Sequence, residues 1–256
     1  MKRTIITHFY NEEYLLPWFL EYHKQHFDDG ILIDYHSTDR SVEICKDICP
    51  NWKVFTSGNK DFGAYMLDQE VMHYEKQFEG WRIALNVTEF LVGNLDKLMH
   101  DRKEATQYLI PAISFFDWDP EGSLDQSKSL WEQKTKGISY KTDFQTRRAR
   151  SLHNVVNVQY PLGRHFEKYD CEDALIFHYA NCISSPEMVK RRLQIQERIP
   201  EGDKRMNLGH QHHNAGKGLT IESLYKFNIK ENSKVNDWIQ FITEFMQNES
   251  IDSHSK

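Results

Sequence analysis

The stretch that decides the fold runs from Arg3 to Tyr35 and reads RTIITHFYNEEYLLPWFLEYHKQHFDDGILIDY. Residues 3–10 have the length and the β-branched and aromatic content of a short buried strand, and residues 30–35 are interpreted as a second strand. Between them, apolar side chains recur at helical spacing, at Leu15, Leu16, Phe19, Leu20 and Tyr22. The stretch therefore predicts a strand, a helix and a strand, with Asn11 placed to cap the helix.

The same alternation continues through the first hundred residues. We expect a helix at 36–49, a strand at 51–58, a helix at 63–78 with an apolar stripe at Tyr65, Met66, Val71 and Met72, and a strand at 80–87. Strands that alternate with helices predict a mostly parallel sheet covered by helices on both faces. Ligands bind such sheets beyond the carboxyl ends of the strands.

The second half of the chain is less regular. We expect a strand at 105–116, short antiparallel strands within 137–163, a strand at 174–180, a helix at 184–199 and an amphipathic terminal helix at 235–247. No internal repeat or Pro-, Gly- or Ser-rich linker divides the chain. The sequence predicts one domain over residues 1–256, with functional parts at 1–100, 101–200 and 201–256.

Composition excludes several classes of protein. The chain has 256 residues, 39% of them hydrophobic, and a formal charge of -6, which argues against nucleic acid as a partner. The four cysteines form no CxxC pair, so a zinc site or a disulfide framework is not expected. We expect a cytoplasmic protein without a signal peptide or transmembrane segment. Hydrolase motifs such as GxSxG and HExxH are missing from the sequence.

Polar segments follow each of the first four predicted strands. They read YNEE at 10–13, DYHSTD at 34–39, SGNKDFG at 57–63 and NVTEF at 86–90. Because the carboxyl ends of parallel strands meet at one edge of a sheet, these segments are expected to form one site.

The first of these motifs resembles a known family. The beginning of this chain resembles the beginning of family-2-like and family-92-like glycosyltransferases of the GT-A fold. The matching residues are Asn11, Glu12, Leu16, Trp18, Tyr22, His23, Gly30, Asp34, Ser37, Thr38, Asp39 and Ser41. The stretch WRIALNVTEFLV at 81–92 falls where the family carries W....D.DEF, and residues 174–192 resemble a later HY motif. The resemblance covers residues 3 to 195.

The resemblance implies a Rossmann-like GT-A fold with a C-terminal helical extension. It implies transfer of a sugar, with inversion, from a nucleotide-sugar to a glycan or other hydroxyl acceptor. Residues 1–100 would bind the nucleotide-sugar, residues 101–200 the acceptor, and residues 201–256 would form a loop and the terminal helix. The candidate donor-binding residues are Tyr10, Asn11, Glu12, Asp34, Ser37, Asp39, Lys60, Asn86, Thr88 and Lys217.

The acidic motif departs from the family pattern. Asn86 and Thr88 stand where the family's carboxylates hold Mg²⁺ or Mn²⁺, and only Glu89 is acidic. Three hypotheses stay open. Glu89 and a late histidine, His212, hold the metal ion weakly. Alternatively, a cation such as Arg82, Lys60 or Lys217 replaces it. In the third, catalysis is lost and the protein is a non-catalytic nucleotide-sugar or glycan binder.

An inverting transferase also needs a general base. Asp119 is the first candidate and Asp117 the second, with Glu172 and Asp173 in reserve. The arginines in QTRRARSLHN, at 147, 148 and 150, are interpreted as a solvated basic strand or as contacts to phosphate or to an acidic acceptor. The donor sugar, acceptor and oligomeric state are left open by the sequence.

Overall fold

A computed structural model describes residues 2–101, 104–116, 124–139, 149–180, 186–209 and 236–252. The strands are β1 Arg3–Phe9, β2 Asp29–Asp34, β3 Lys53–Thr56, β4 Trp81–Ala84, β5 Glu89–Gly93, β6 Gln107–Ile110, β7 Ala112–Phe115, β8 Lys136–Ser139, β9 Arg150–His153, β10 Ala174–His178 and β11 Asn236–Asp237. The helices are α1 Leu16–His23, α2 Ser41–Ile48, α3 Ala64–Glu75, α4 Leu95–Asp101, α5 Leu130–Gln133, α6 Pro186–Glu197, α7 Glu201–Arg205 and α8 Ile239–Asp252, with a 3-10 turn at Leu162–Arg164.

The four predicted parallel strands, β1 to β4, form one side of a six-stranded sheet with the order β3-β2-β1-β4-β9-β6. β1 pairs in parallel with both β2 and β4, and β2 pairs in parallel with β3. β9 is antiparallel to β4 and β6, as expected for the second half of the chain. The α/β class is therefore confirmed, and β1 is a central strand with no exposed edge.

A second sheet, which the sequence did not indicate, has the order β11-β8-β7-β10-β5. It includes β5, which follows the strand that we expected at 80–87 and begins inside the polar segment NVTEF. β4 ends at Ala84, the N–H of Glu89 donates to the carbonyl of Asn86 in a turn (2.9 Å), and β5 enters the other sheet. Both strands are buried throughout, so hydrophobicity alone did not reveal the break.

The expected strand at 105–116 is divided in the same way. Pro111 separates β6, in the first sheet, from β7, in the second. Because proline has no N–H to donate to a strand ladder, it marks the point where the chain changes sheets.

The predicted helices are present, but two details of them are wrong. Asn11 does not cap α1, which begins after Leu15. Its backbone lies in the left-handed region (φ 49°), and its Oδ1 accepts a hydrogen bond from the Thr38 N–H at 2.7 Å. On α3, Tyr65 and Met66 are 60% and 50% exposed. The buried face of α3 instead carries Asp68 and Glu75 beside Val71 and Met72. Asp68 binds a buried arginine side chain, and Glu75 binds a buried histidine side chain.

The terminal helix α8 contacts β5, where its Ile242 is buried, which confirms a helical C-terminal extension. Among the helices of the described ranges, none combines the length and the apolar character that crossing a bilayer requires.

The Tyr22-His23 pair joins α1 to the second sheet. The Tyr22 hydroxyl donates to the Leu91 carbonyl (2.9 Å), and the Leu91 N–H donates to His23 Nε2 (3.3 Å). Nδ1 therefore carries the ring proton and donates to the Phe19 carbonyl at 2.9 Å. Burial lowers the pKa of His23 to about 3, so the native state holds a neutral ring.

We predict that this histidine makes the protein less stable as the pH falls. The pKa of His23 is 6.5 in the unfolded chain and about 3 in the folded protein. Between about pH 7 and about pH 5 the unfolded chain therefore binds a proton that native His23 does not accept. The free energy of unfolding should lose about 2 kcal/mol more in the wild type than in His23→Gln over that range. Urea denaturation at both pH values measures this difference.

Tyr22→Phe is the matched control, because it removes the neighbouring hydrogen bond to Leu91 and leaves the imidazole in place. It should cost about 1 kcal/mol at both pH values. Equal pH dependence in His23→Gln and the wild type would contradict the assignment.

Candidate functional site

A cavity of about 480 Å³ opens at the carboxyl ends of β1 and β4. The chain runs from β1 outward to β2 and β3 and then returns to the other side of β1 as β4. In open α/β sheets, ligands bind where the winding reverses in this way. The walls come from the end of β1, the turn 86–89, the first half of α3, the turn 162–165, the end of β10, α6 and residues 207–209.

A buried ion pair stands at the floor of this cavity. Glu89 lines the cavity, and Arg150 Nη2 approaches its Oε1 at 2.7 Å, while Arg150 Nε lies 3.1 Å from Oε1 and 3.0 Å from Oε2. The Asn86 N–H also donates to Oε2, at 2.8 Å. Burial acts to raise the pKa of Glu89, but the charges of Arg150 and His178 and these hydrogen bonds hold it below its usual value. Glu89 is therefore an ionised, fully engaged carboxylate.

Arg150 is buried, so the interpretation of this position as part of a solvated basic strand is wrong. Its Nη1 donates to the carbonyls of Gly163 and Arg164, at 2.9 and 3.0 Å. One guanidinium thus connects the turn after β4 to the turn at 162–164. Residues 147 and 148 lie outside the described residues.

A second buried arginine, Arg164, forms part of the cavity wall. Asp68 on α3 binds its Nη1 at 2.7 Å and also accepts from the Gly163 N–H at 2.6 Å. Arg164 Nη2 donates to Asn86 Oδ1 at 3.0 Å. Burial lowers the pKa of Arg164, and the charge of Arg150 adds to this effect, but a guanidinium keeps its proton at neutral pH.

Helix α6 adds two more arginines to the wall. Arg191 forms an ion pair with Glu12, and burial raises the pKa of Glu12 while the charge of Arg191 opposes that rise. Desolvation lowers the pKa of Arg192 to about 10, with a contribution from the charge of Arg191. Around the cavity, within the described residues, four guanidinium groups therefore face three carboxylates, and each carboxylate is bound to an arginine.

Five of the sequence-predicted residues meet at this cavity. They are Tyr10, Glu12, Asn86, Thr88 and Glu89. The sequence analysis missed Arg164, Arg191 and Arg192. The run KRR at 190–192 was a usable signal, since two of its members face the cavity. A single arginine after Gly163 offered no local signal, because its partners come from α3 and from the turn after β4.

Other predicted donor-binding residues connect loops instead of lining the cavity. Ser37 Oγ accepts from the Asn11 N–H at 3.0 Å, and Asp34 accepts from the Ser37 N–H at 2.8 Å. Asp39 accepts from the N–H groups of Glu13 and Ser41. These polar groups hold the loop after β1 against the loop after β2.

The end of α6 and the residue that follows it cover the ends of β1 and β2. Arg198 stacks on the Tyr10 ring, with its guanidinium carbon 3.9 Å from the ring centre, and donates to the carbonyls of Tyr35 (2.6 Å) and Lys60. Gln194 donates to the carbonyls of Tyr10 and Asn11, at 3.3 and 3.2 Å. The open part of the site therefore lies on the β4 side of β1.

The remaining predicted site residues are placed as follows. Lys60 is exposed and lies outside the cavity lining, and Arg82 donates to the carbonyls of Phe78 and Val155. Asp117, Asp119, His212 and Lys217 lie outside the described residues.

The described residues do not fit the divalent cation that the family resemblance implies. Asn86 Oδ1 already accepts from Arg164, and the oxygens of Glu89 accept from Arg150 and from the Asn86 N–H. Within the described ranges, no group of three or more His, Cys, Asp or Glu side chains is arranged to hold a metal ion. Guanidinium groups lie against the positions where metal ligands were expected.

Comparison with known proteins adds a structural likeness at low identity. No family model and no curated protein matches the sequence. The crystal structure of S. aureus TarS aligns with 88% of this chain and 43% of its own, at 13% identity and a TM-score of 0.42. TarS 1-349 in complex with UDP aligns with 89% of this chain and 78% of its own, at 14% identity and a TM-score of 0.39.

TarS 1-349 in complex with UDP-GlcNAc aligns with 53% of this chain and 39% of its own, at 18% identity and a TM-score of 0.32. Superpositions with TM-scores below 0.5 carry no functional argument.

We predict that the Glu89–Arg150 pair is essential to the fold around the cavity. Arg150→Met should lower the free energy of unfolding by about 3 to 5 kcal/mol, because it leaves a buried carboxylate without its counter-ion. The double variant Arg150→Met/Glu89→Gln should be less destabilised than the sum of the two single variants. Chemical denaturation of the three variants tests both statements.

Arg40→Met serves as the control, because it removes the exposed Arg40–Glu43 pair. Loss of this pair should leave the denaturation midpoint nearly unchanged. If Arg150→Met were as mild as Arg40→Met, the pair would have no structural importance.

Proposed function

We propose that this protein binds a nucleotide-sugar in the cavity and transfers the sugar to a hydroxyl group of a glycan or similar acceptor, on a GT-A-like fold. The observation that carries the proposal is the position of an arginine-walled cavity at the switch point between β1 and β4. The sheet topology supports a ligand site here, and the arginines favour an anionic ligand. The sequence resemblance supports the diphosphate of a nucleotide-sugar as that anion.

The arginines suit the chemistry of the leaving group. When the bond between the sugar carbon and the diphosphate oxygen breaks, negative charge grows on the nucleoside diphosphate. Arg164, Arg191 and Arg192 lie in the walls before the ligand binds, so their N–H groups need little reorganisation as that charge develops. Guanidinium groups also bind phosphate oxygens in pairs, which fixes the direction in which the sugar points.

The acceptor side is proposed to lie next to β10. β7 pairs in parallel with β10, with Ser114 opposite His178, and His178 lines the cavity. The chain therefore leaves β7 beside the site and continues to the segment that contains Asp117 and Asp119. We keep Asp119, with Asp117 as second choice, as the general base. It would take the proton of the acceptor hydroxyl while the oxygen attacks the sugar carbon from the side opposite the diphosphate, inverting it.

One observation favours a second candidate, a nucleotide-sugar or glycan binder without catalysis. Glu12, Asp68 and Glu89 are each bound to an arginine, so none of these described carboxylates at the cavity is available as a base. A binder needs the arginines but no base. The two candidates differ only in turnover, and one experiment separates them.

The test is thermal denaturation and calorimetric titration with a panel of UDP-, GDP-, dTDP- and CDP-sugars. We expect one nucleotide class to raise the midpoint of unfolding, because a ligand that binds only the native state stabilises it. Arg192→Gln should weaken that binding by about tenfold or more, through loss of a charge-assisted hydrogen bond. Release of free nucleotide in the presence of candidate glycan acceptors measures turnover.

Arg205→Gln is the matched control, since Arg205 is exposed on α7, near residues 207–209 but outside the lining. It should bind the nucleotide-sugar as the wild type does. Tight binding without nucleotide release with any acceptor would favour the binder. If no nucleotide-sugar changed the melting curve or gave a calorimetric signal, the transferase and the nucleotide-sugar binder would both be rejected.

A further inference from the structure

Two arginines contact the turn where metal ligands were expected, one at Asn86 and one at the retained Glu89. Arg164 Nη2 lies 3.0 Å from Asn86 Oδ1, and Arg150 makes its two-pronged contact with Glu89. The family resemblance places metal-binding carboxylates at 86 and 88 and keeps Glu89. In this chain, the oxygens at 86 and 89 are turned toward guanidinium groups. A divalent cation bound by the same oxygens would displace these donors and be repelled by their charge.

The fold holds these arginines in place. The backbone of Arg164 lies in the left-handed region (φ 58°), directly after Gly163 at φ 76°. A non-glycine residue keeps this conformation only where its surroundings impose it, and such residues cluster at functional sites. Here Asp68 binds both the Gly163 N–H and the Arg164 side chain, while Arg150 Nη1 donates to both carbonyls of the turn. Arg164 therefore cannot swing away to admit a metal ion.

The identity of residue 86 decides the charge that Arg164 presents. With asparagine there, Arg164 has one carboxylate partner, Asp68, and a neutral amide oxygen. An aspartate at this position would add a second carboxylate, so that the group formed with Arg164 and Asp68 would become net negative and repel an anion. The loss of the acidic residue and the presence of the arginine are thus two parts of one arrangement.

We propose that Arg164 replaces the divalent cation of the site, so that the nucleoside diphosphate binds without a metal ion. This inference rests on the proposed function above. Arg164 supplies a fixed guanidinium beside the turn 86–89, and Arg191 and Arg192 supply a further part of the cavity wall. The replacement therefore comes from the turn after β9. Of the cations considered from the sequence, Lys60 lies outside the cavity lining and Arg82 donates to backbone carbonyls, while Lys217 lies outside the described residues.

The first test is calorimetric titration of the wild type with UDP, GDP, dTDP and CDP, each in EDTA and in excess MnCl₂. The proposal predicts that the nucleotide that binds does so with a dissociation constant that differs by less than about twofold between the two conditions. Binding that requires Mn²⁺, or is at least about tenfold tighter with it, would overturn the inference and leave the proposed function intact. No binding in either condition would reject the proposed function, and the inference with it.

The second test is Asn86→Asp, which restores a carboxylate of the family motif. If Arg164 replaces the metal ion, the new carboxylate pairs with its Nη2 and weakens nucleoside diphosphate binding in EDTA by about tenfold or more. Added Mn²⁺ should not recover the loss. If the site is a metal centre that lacks a ligand, Asn86→Asp should instead create or strengthen Mn²⁺-dependent binding, which would refute the proposal.

Asn94→Asp is the matched control for charge. Asn94 precedes α4, where its Oδ1 accepts from the Lys97 N–H at 2.9 Å, and an aspartate can keep that hydrogen bond. The residue lies outside the cavity lining, so this variant should bind the nucleotide as the wild type does. Thermal midpoints of both variants establish that they fold, and equal weakening in both would show a general charge effect and refute the role of Arg164.

Discussion

The buried pair of Glu89 and Arg150 is the interaction on which the candidate site depends. It joins the turn where the chain leaves the first sheet for the second to the 3-10 turn that presents Arg164. A buried charge without its partner destabilises a fold strongly, so neither residue can be lost alone. The same contact that holds the two turns together also occupies the only acidic residue of the WRIALNVTEFLV stretch. Structure and site chemistry are therefore linked at one carboxylate.

Arginine–carboxylate pairs recur around the cavity, each between elements distant in sequence. Asp68 of α3 holds Arg164, and Glu12 after β1 holds Arg191 of α6. Each pair orients a guanidinium in the wall, where burial makes electrostatic interactions stronger than in water. The arrangement offers an anion a set of donors that is already in position. The polar groups near Asp34 and Ser37 have a different role, because they hold neighbouring loops together.

The sequence predicted much of the fold and only part of the site. Alternating apolar patterns identified the parallel strands and their covering helices, because period and length are local properties. They did not reveal the two sheet changes, after Ala84 and at Pro111, because both flanking strands are buried and equally apolar. Residues directly after β1 and β4 were found because strand ends determine their place. Arg164, by contrast, contacts the cavity through partners 78 and 96 residues away in the chain.

The amino-acid sequence by itself determined the α/β class, the order of the first four strands along the chain, and the polar segments that follow those strands. It also placed Asn86 and Thr88 where the family resemblance implies carboxylates. Only the tertiary structure decided which side chains lie against that turn, since a charge contact depends on which side chains meet in space. Hydrophobic periodicity is written along the chain, whereas a buried ion pair is defined only after distant segments have packed together.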